Sequence, residues 1–77
     1  MSNVIESVDL TLYGCPMHYI KAREILSKMA QDQAIIFKIN NGDAVEDVMK
    51  SLRQDGQDCE IESTQSLTTT VKVIKRI

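Results

Sequence analysis

The stretch Leu12-Tyr13-Gly14-Cys15-Pro16 is where residue type and spacing could do chemistry. An alternating run of residues precedes it and a helical pattern follows it. Gly14 permits a tight backbone turn at no steric cost. Pro16 suits the first helical position, where a missing N–H is no loss and a fixed φ fits the helix. Cys15 is therefore expected at the N-cap of a helix, at the end of a strand. The unpaired N–H groups and the positive end of the helix dipole face such a residue. They favour a thiolate over a thiol, and the thiolate is the nucleophile. From position alone, Cys15 is either a reactive thiol or a small residue that caps a helix.

The neighbours of Cys15 divide in the same way. His18 sits about one turn on. It is near enough to hydrogen-bond a thiolate, although its plainer reading is a surface side chain in the first helical turn. Met17 is poorly placed for the apolar face, so it is an exposed contact beside the thiol or a plain helix former. Lys21, Arg23 and Lys28 could dock an acidic partner, or they are the solvated face of the helix. No Asp or Asn is placed to orient His18, so a Cys-His hydrolytic site is poorly supported.

Two cysteines and one histidine cannot make a four-ligand zinc site of Cys and His alone. Cys15 and Cys59 form no C-x-x-C pair, and a structural disulfide would be odd in a small cytosolic protein. Cys59 lies on the apolar parity of its own strand and reads as a small core hydrophobe.

The elements that must position these residues follow from periodicity. Residues 7–13 alternate, with Val8, Leu10 and Leu12 on one side, as in a half-buried strand. A helix is expected from about Pro16 to Ala30, with Tyr19, Ala22, Ile25, Leu26 and Met29 on one face. Residues 34–39 are rich in β-formers and read as the second strand. Asn40-Asn41-Gly42 is turn chemistry. Asp43 with Glu46 fits a capping box, so a second helix runs from 43 to 55, with Ala44, Val45, Val48, Met49 and Leu52 inward. Gly56 is the expected left-handed residue that ends it. Cys59 and Ile61 oppose Glu60 and Glu62 in a third strand. Gln65-Ser66 is the expected hairpin turn, and a fourth strand runs from about 67 to 76.

The order is β-α-β-α-β-β. The first two strands are joined by a helix and so should run parallel, while the last two form an antiparallel hairpin. Polar residues alternate along three of the strands, so one sheet face should be wet and both helices should cover the other. The fold class is thus α/β, a two-layer sandwich with a four-stranded mixed sheet, in a single domain over residues 1–77.

Composition narrows the function. Nine basic against eleven acidic residues give a net charge of −2, which disfavours a nucleic-acid binder working by phosphate neutralisation. The terminal basic cluster, Lys72, Lys75 and Arg76, reads as the charged guard of an edge strand. No apolar run approaches the roughly 20 residues of a membrane helix. No basic cluster precedes an apolar segment at the N-terminus, so no signal peptide is visible and a cytoplasmic location is the default.

These residues carry a family resemblance. Asp9-Leu10 lies six residues before Cys15-Pro16, and an amphipathic helix ending in Lys28-Met29 follows. In that element order, the chain resembles the TusA/SirA-like sulfur-carrier proteins over most of its length. The hallmark of the family is Cys-Pro-x-Pro at the start of the first helix; here it reads Cys15-Pro16-Met17-His18. Leu12 stands where the family usually has glycine, and the usual Pro-Gly after the first helix is missing. The resemblance implies that Cys15 accepts a persulfide sulfur, typically from a cysteine desulfurase or a rhodanese-type donor. It then passes the sulfur to an acceptor protein. Gly14, Pro16 and His18 would support the thiolate, and Met17, Lys21 and Arg23 would meet partners. No metal or organic cofactor is required. The alternatives are a non-catalytic interaction module of the same fold, or a redox-sensing thiol protein.

Overall fold

Residues Ile35, Phe37 and Ile39 alternate with Ile36, Lys38 and Asn40, and that alternation organises the molecule. The first three are buried. The computed structural model describes residues 6–14 and 17–77. Its elements are β1 (Glu6–Asp9), α1 (Met17–Ser27), β2 (Ala34–Asn40), α2 (Asp43–Gln54), β3 (Asp58–Thr64) and β4 (Thr68–Ile74). The four strands lie in the order β1-β2-β4-β3. β1 runs parallel to β2, and β4 is antiparallel to both β2 and β3.

Register explains the core. Ile35 pairs with Val73, and Phe37 with Val71, so their side chains share one sheet face. Ala22 and Leu26 of α1, with Val45, Val48, Met49 and Leu52 of α2, complete the same buried cluster. Both helices pack on that face, as the alternation predicts. Each fully buried Phe, Leu or Ile contributes about 1.5–3 kcal/mol relative to exposure. The other face carries the row Ser7, Ile36, Lys72 and Glu60.

Several expected boundaries move. The first strand does not reach residue 13. Asp9 accepts the Thr11 amide on Oδ1 at 2.8 Å, a local side-chain turn that competes with the ladder. Leu10 stays buried, but Leu12 is 92% exposed instead of pointing inward. The regular helix α1 ends at Ser27, where Lys28 and Met29 close the last turn with bonds to the carbonyls of Ile25 and Leu26.

The start of α2 is not a capping box. Gly42 is the N-cap, no side chain caps the helix, and Asp43 is already helical. Asp43 and Glu46 act instead as acidic groups in the first turn, favourable to the dipole. The far end is as expected. Gly56 has φ 97°, its amide bonds the Arg53 carbonyl, and the Gln57 amide bonds the Leu52 carbonyl. Those two bonds make a Schellman motif.

In the last third, Gln65 N–H donates to the Thr68 carbonyl, so the hairpin loop is Ser66-Leu67, one residue later than expected. β4 is an inner strand and not an edge. The basic residues that follow it are engaged: Lys75 Nζ donates to the Met29 carbonyl at 2.7 Å, and Arg76 binds Asp58 and Asp32. The true edge is β3. There a bulge falls between Ile61 and Ser63, and Ile61 is exposed although its parity is that of the core.

Candidate functional site

The β1–α1 junction is built from both sides. Leu10 anchors it in the core, and its amide donates to the Lys38 carbonyl at 2.8 Å. The Tyr13 amide donates to the Leu10 carbonyl at 3.1 Å, which turns the chain over residues 10–13. Asn40, at the end of β2, donates from Nδ2 to the Thr11 carbonyl at 2.9 Å. Its neighbour Asn41 receives the β3–β4 turn, donating its amide to the Leu67 carbonyl at 3.0 Å. Two successive asparagines thus hold two loops at one end of the sheet. The result is a fixed platform from which α1 departs.

Gly14 is exposed and lacks a positive φ. Among the described residues, nothing stands within 4 Å of where its Cβ would be. The tight turn expected of it is therefore not a glycine-requiring conformation. Its carbonyl accepts the His18 amide at 3.1 Å, an i→i−4 bond that carries the helical ladder back to Gly14. The positions expected to carry the chemistry itself, Cys15 and the Pro16 beside it, lie outside the described residues.

His18 is not the surface side chain expected of the first turn. It is 3% exposed. The reason is helical: His18, Ala22 and Leu26 recur at i+4, and all three are buried on α1. That spacing was visible in the sequence and could have found it. The imidazole Nδ1 accepts the Tyr19 amide at 2.7 Å, and Nε2 has no hydrogen-bond partner among the described residues.

Met17 is exposed, as expected of a contact residue, and Leu12, Tyr13 and Ile20 join it as exposed apolar side chains on the junction and the first turns of α1. The candidate docking cations have carboxylates of their own. Lys21 faces Glu24 at 3.4 Å, Lys28 faces the same carboxylate at 3.9 Å, and Arg23 faces Asp55 at 3.8 Å. Exposed pairs of this kind are worth at most about 1 kcal/mol, so a partner can displace them.

The second thiol is elsewhere. Cys59 pairs with Val73, in the row of Ile35 and Glu6, at the start of β2 and away from the junction. It packs half-buried against the core, not wholly within it. Burial pushes its thiol up to about 11, with Asp58 adding to the rise and Arg53 opposing it. Cys59 is thus held protonated at neutral pH. Among the described residues, no group of three or more His, Cys, Asp or Glu could hold a metal ion.

The family model for the sulfurtransferase TusA matches residues 6–75. The chain belongs to the TusA family. A search of curated proteins finds no match. The crystal structure of a SirA-like protein from Desulfitobacterium hafniense is similar, with a TM-score of 0.79 at 15% identity. That match covers 95% of this chain and 100% of the other, and it supports the TusA fold. Membership of TusA points to a sulfur-carrier role exercised with partner proteins. No helix among the described residues is long and apolar enough to cross a membrane.

Proposed function

We propose that this TusA-family chain is a cytoplasmic sulfur carrier that holds a persulfide on Cys15. The observation that carries the reading is the family match across Cys15, beside a second thiol, Cys59, that is half-buried. The family match spans Cys15, which in the sequence follows the junction that Asn40 helps to hold. Cys59 is kept protonated by burial.

The step is an exchange between sulfurs. The Cys15 thiolate attacks the outer sulfur of a donor persulfide, R–S–SH. A new S–S bond forms at Cys15, the donor's S–S bond breaks, and the donor leaves as R–S⁻. The proton stays on the transferred sulfur or passes to water, and nothing is oxidised or reduced overall. An acceptor thiolate then repeats the attack on Cys15–S–SH. The donor is a cysteine desulfurase or a rhodanese-type protein, and the acceptor is a second protein. No metal or organic cofactor takes part.

Incubation with a cysteine desulfurase and free cysteine tests this. The protein should gain the mass of one sulfur atom, about 32 Da, mapped to Cys15. Cys15→Ser should gain none, and Cys59→Ser should load normally. Sulfur on Cys59, or on neither residue with several competent donors, overturns the reading in favour of a non-catalytic interaction module.

A further inference from the structure

The end of the sheet where Asn40 and Asn41 hold two loops also gathers most of the exposed apolar side chains. Leu12 and Leu67 stand almost free of the fold on those loops, and Tyr13, Met17 and Ile20 are exposed on the junction and the first turns of α1. The other large apolar side chains in water among the described residues are single ones, Ile61 on the β3 edge and Ile77 over Gly56. A lone exposed apolar residue is ordinary, whereas a group at one end of a small domain marks a contact surface.

The same end is acidic. Asp9 closes β1 and binds the Thr11 amide, next to Leu12. Asn41, whose amide binds the Leu67 carbonyl, stands two residues before Asp43, the first residue of α2. Glu46 and Asp47 lie one turn on, share the helix face of Asp43 and are exposed like it. None of these four carboxylates has an ion-pair partner among the described residues; the ion pairs present join other groups. Against them stands Lys38, the register partner of Asp9, with Lys50 a turn further along α2. Lys21, Arg23 and Lys28 on α1 are already matched by Glu24 and Asp55. The α1 cations are therefore the neutralised part of this surface, and the carboxylates carry its free charge.

We propose that this end of the molecule is the docking surface for the sulfur donor, whose contacting face has an apolar centre and a rim of lysine and arginine. This rests on the reading that the chain is a sulfur carrier. The leucines supply the apolar contact, as at the centre of protein interfaces, and the carboxylates form the polar rim. A donor with an acidic rim would be repelled, while a basic one is steered in and held in register.

Docking can be read without sulfur transfer. In a Cys15→Ser chain, association with a cysteine desulfurase is followed by surface plasmon resonance. The association rate should fall as salt rises from about 0.1 to about 1 M, over which the Debye length shrinks from about 10 to about 3 Å. Asp43→Asn combined with Glu46→Gln should slow association about fivefold at the lower salt and leave it unchanged at the higher. Gln31→Lys combined with Gln54→Lys makes the same change in net charge at the opposite ends of the two helices, and should alter the rate little.

A rate that ignores salt, or quickens with it, overturns the proposal even if the carboxylate variants do not fold. Equal slowing in both double variants overturns it too, because net charge alone then sets the rate, and so does an absence of binding. A desulfurase that docks in this way but never loads the parent chain defeats the carrier reading and leaves the docking surface standing. One that loads the parent and docks without regard to these carboxylates does the reverse.

Discussion

The phenol of Tyr19 donates a 2.7 Å hydrogen bond to Oδ2 of Asp55, joining the first turn of α1 to the residue that caps the C-terminus of α2. Nothing else ties the two helix ends so directly among the described residues, and Arg23 leans on the same carboxylate. The bond raises the Tyr19 pKa above its ordinary 10.0, chiefly because Asp55 accepts the hydrogen bond of the protonated phenol, with burial second.

The sign of the resulting pH dependence follows. A raised pKa contributes stability that is whole below the unfolded value near 10 and is lost as pH climbs through the folded value. Tyr19→Phe should cost about 1–2 kcal/mol at pH 7 and flatten the alkaline fall in Tm. In ultraviolet titration, Asp55→Asn should bring the Tyr19 ionisation back toward its ordinary value. An unchanged titration in that variant would place the origin of the shift elsewhere.

This pair also shows where sequence reading stops. The parity of Ile35, Phe37 and Ile39, the i+4 recurrence of Ala22 and Leu26, and Gly56 at the end of α2 are local patterns, and from them the β-α-β-α-β-β sandwich was legible. Tyr19 and Asp55 are 36 positions apart, and no periodicity links them. Leu12 misled for a related reason. Its alternation was genuine, but the Asp9 side chain captured the Thr11 amide and the strand ended first. Ile61 kept the parity of the core, yet it lies on the edge strand beside a bulge and is exposed. His18 was legible and read too blandly, because a polar residue on a buried stripe is easily assigned to the surface. The Cys15–Pro16 chemistry came from residue type and family resemblance, not from packing.

Cys59 should behave as an inert thiol in the folded state. Its pKa of about 11 means that iodoacetamide at pH 8 should label it slowly in native protein and rapidly in denaturant. The stability it contributes is whole below the unfolded value near 9 and declines as pH rises toward 11. Cys59→Ala should remove that part of the decline. Fast native labelling at pH 8, read by peptide mass, would contradict the half-buried placement.

Gly56 should tolerate no side chain. Its φ of 97° is disfavoured for any residue with a Cβ, and the added atom would overlap Ile77 Cδ1. Gly56→Ala should cost about 1–3 kcal/mol, read as a fall in the urea midpoint with the slope unchanged. Because the clash is with one flexible side chain, Gly56→Ala combined with Ile77→Ala should recover part of the loss. No recovery would leave backbone strain as the whole cause.

The exposed leucines at the junction end should matter to transfer and not to stability. Leu12 is 92% exposed and Leu67 is 77% exposed. The loops that carry them are bound by adjacent residues, Thr11 by Asn40 and Leu67 by Asn41. Thr68 pairs with Asn40 from the opposite side, so the two loops flank β2 about 10 Å apart, two strand spacings. A leucine in water gains nothing by staying there, and truncating it should move Tm little. At the centre of a protein contact the same truncation removes about 1–2 kcal/mol, a five- to thirtyfold weakening. In a desulfurase loading assay, Leu12→Ser and Leu67→Ser should raise the carrier concentration needed for half-maximal rate by that factor and leave the saturating rate intact. Ile61→Ser, on the far edge strand, should leave both unchanged. If Ile61→Ser weakens loading as much as Leu12→Ser does, the donor docks on the β3 edge and not around the β1–α1 junction.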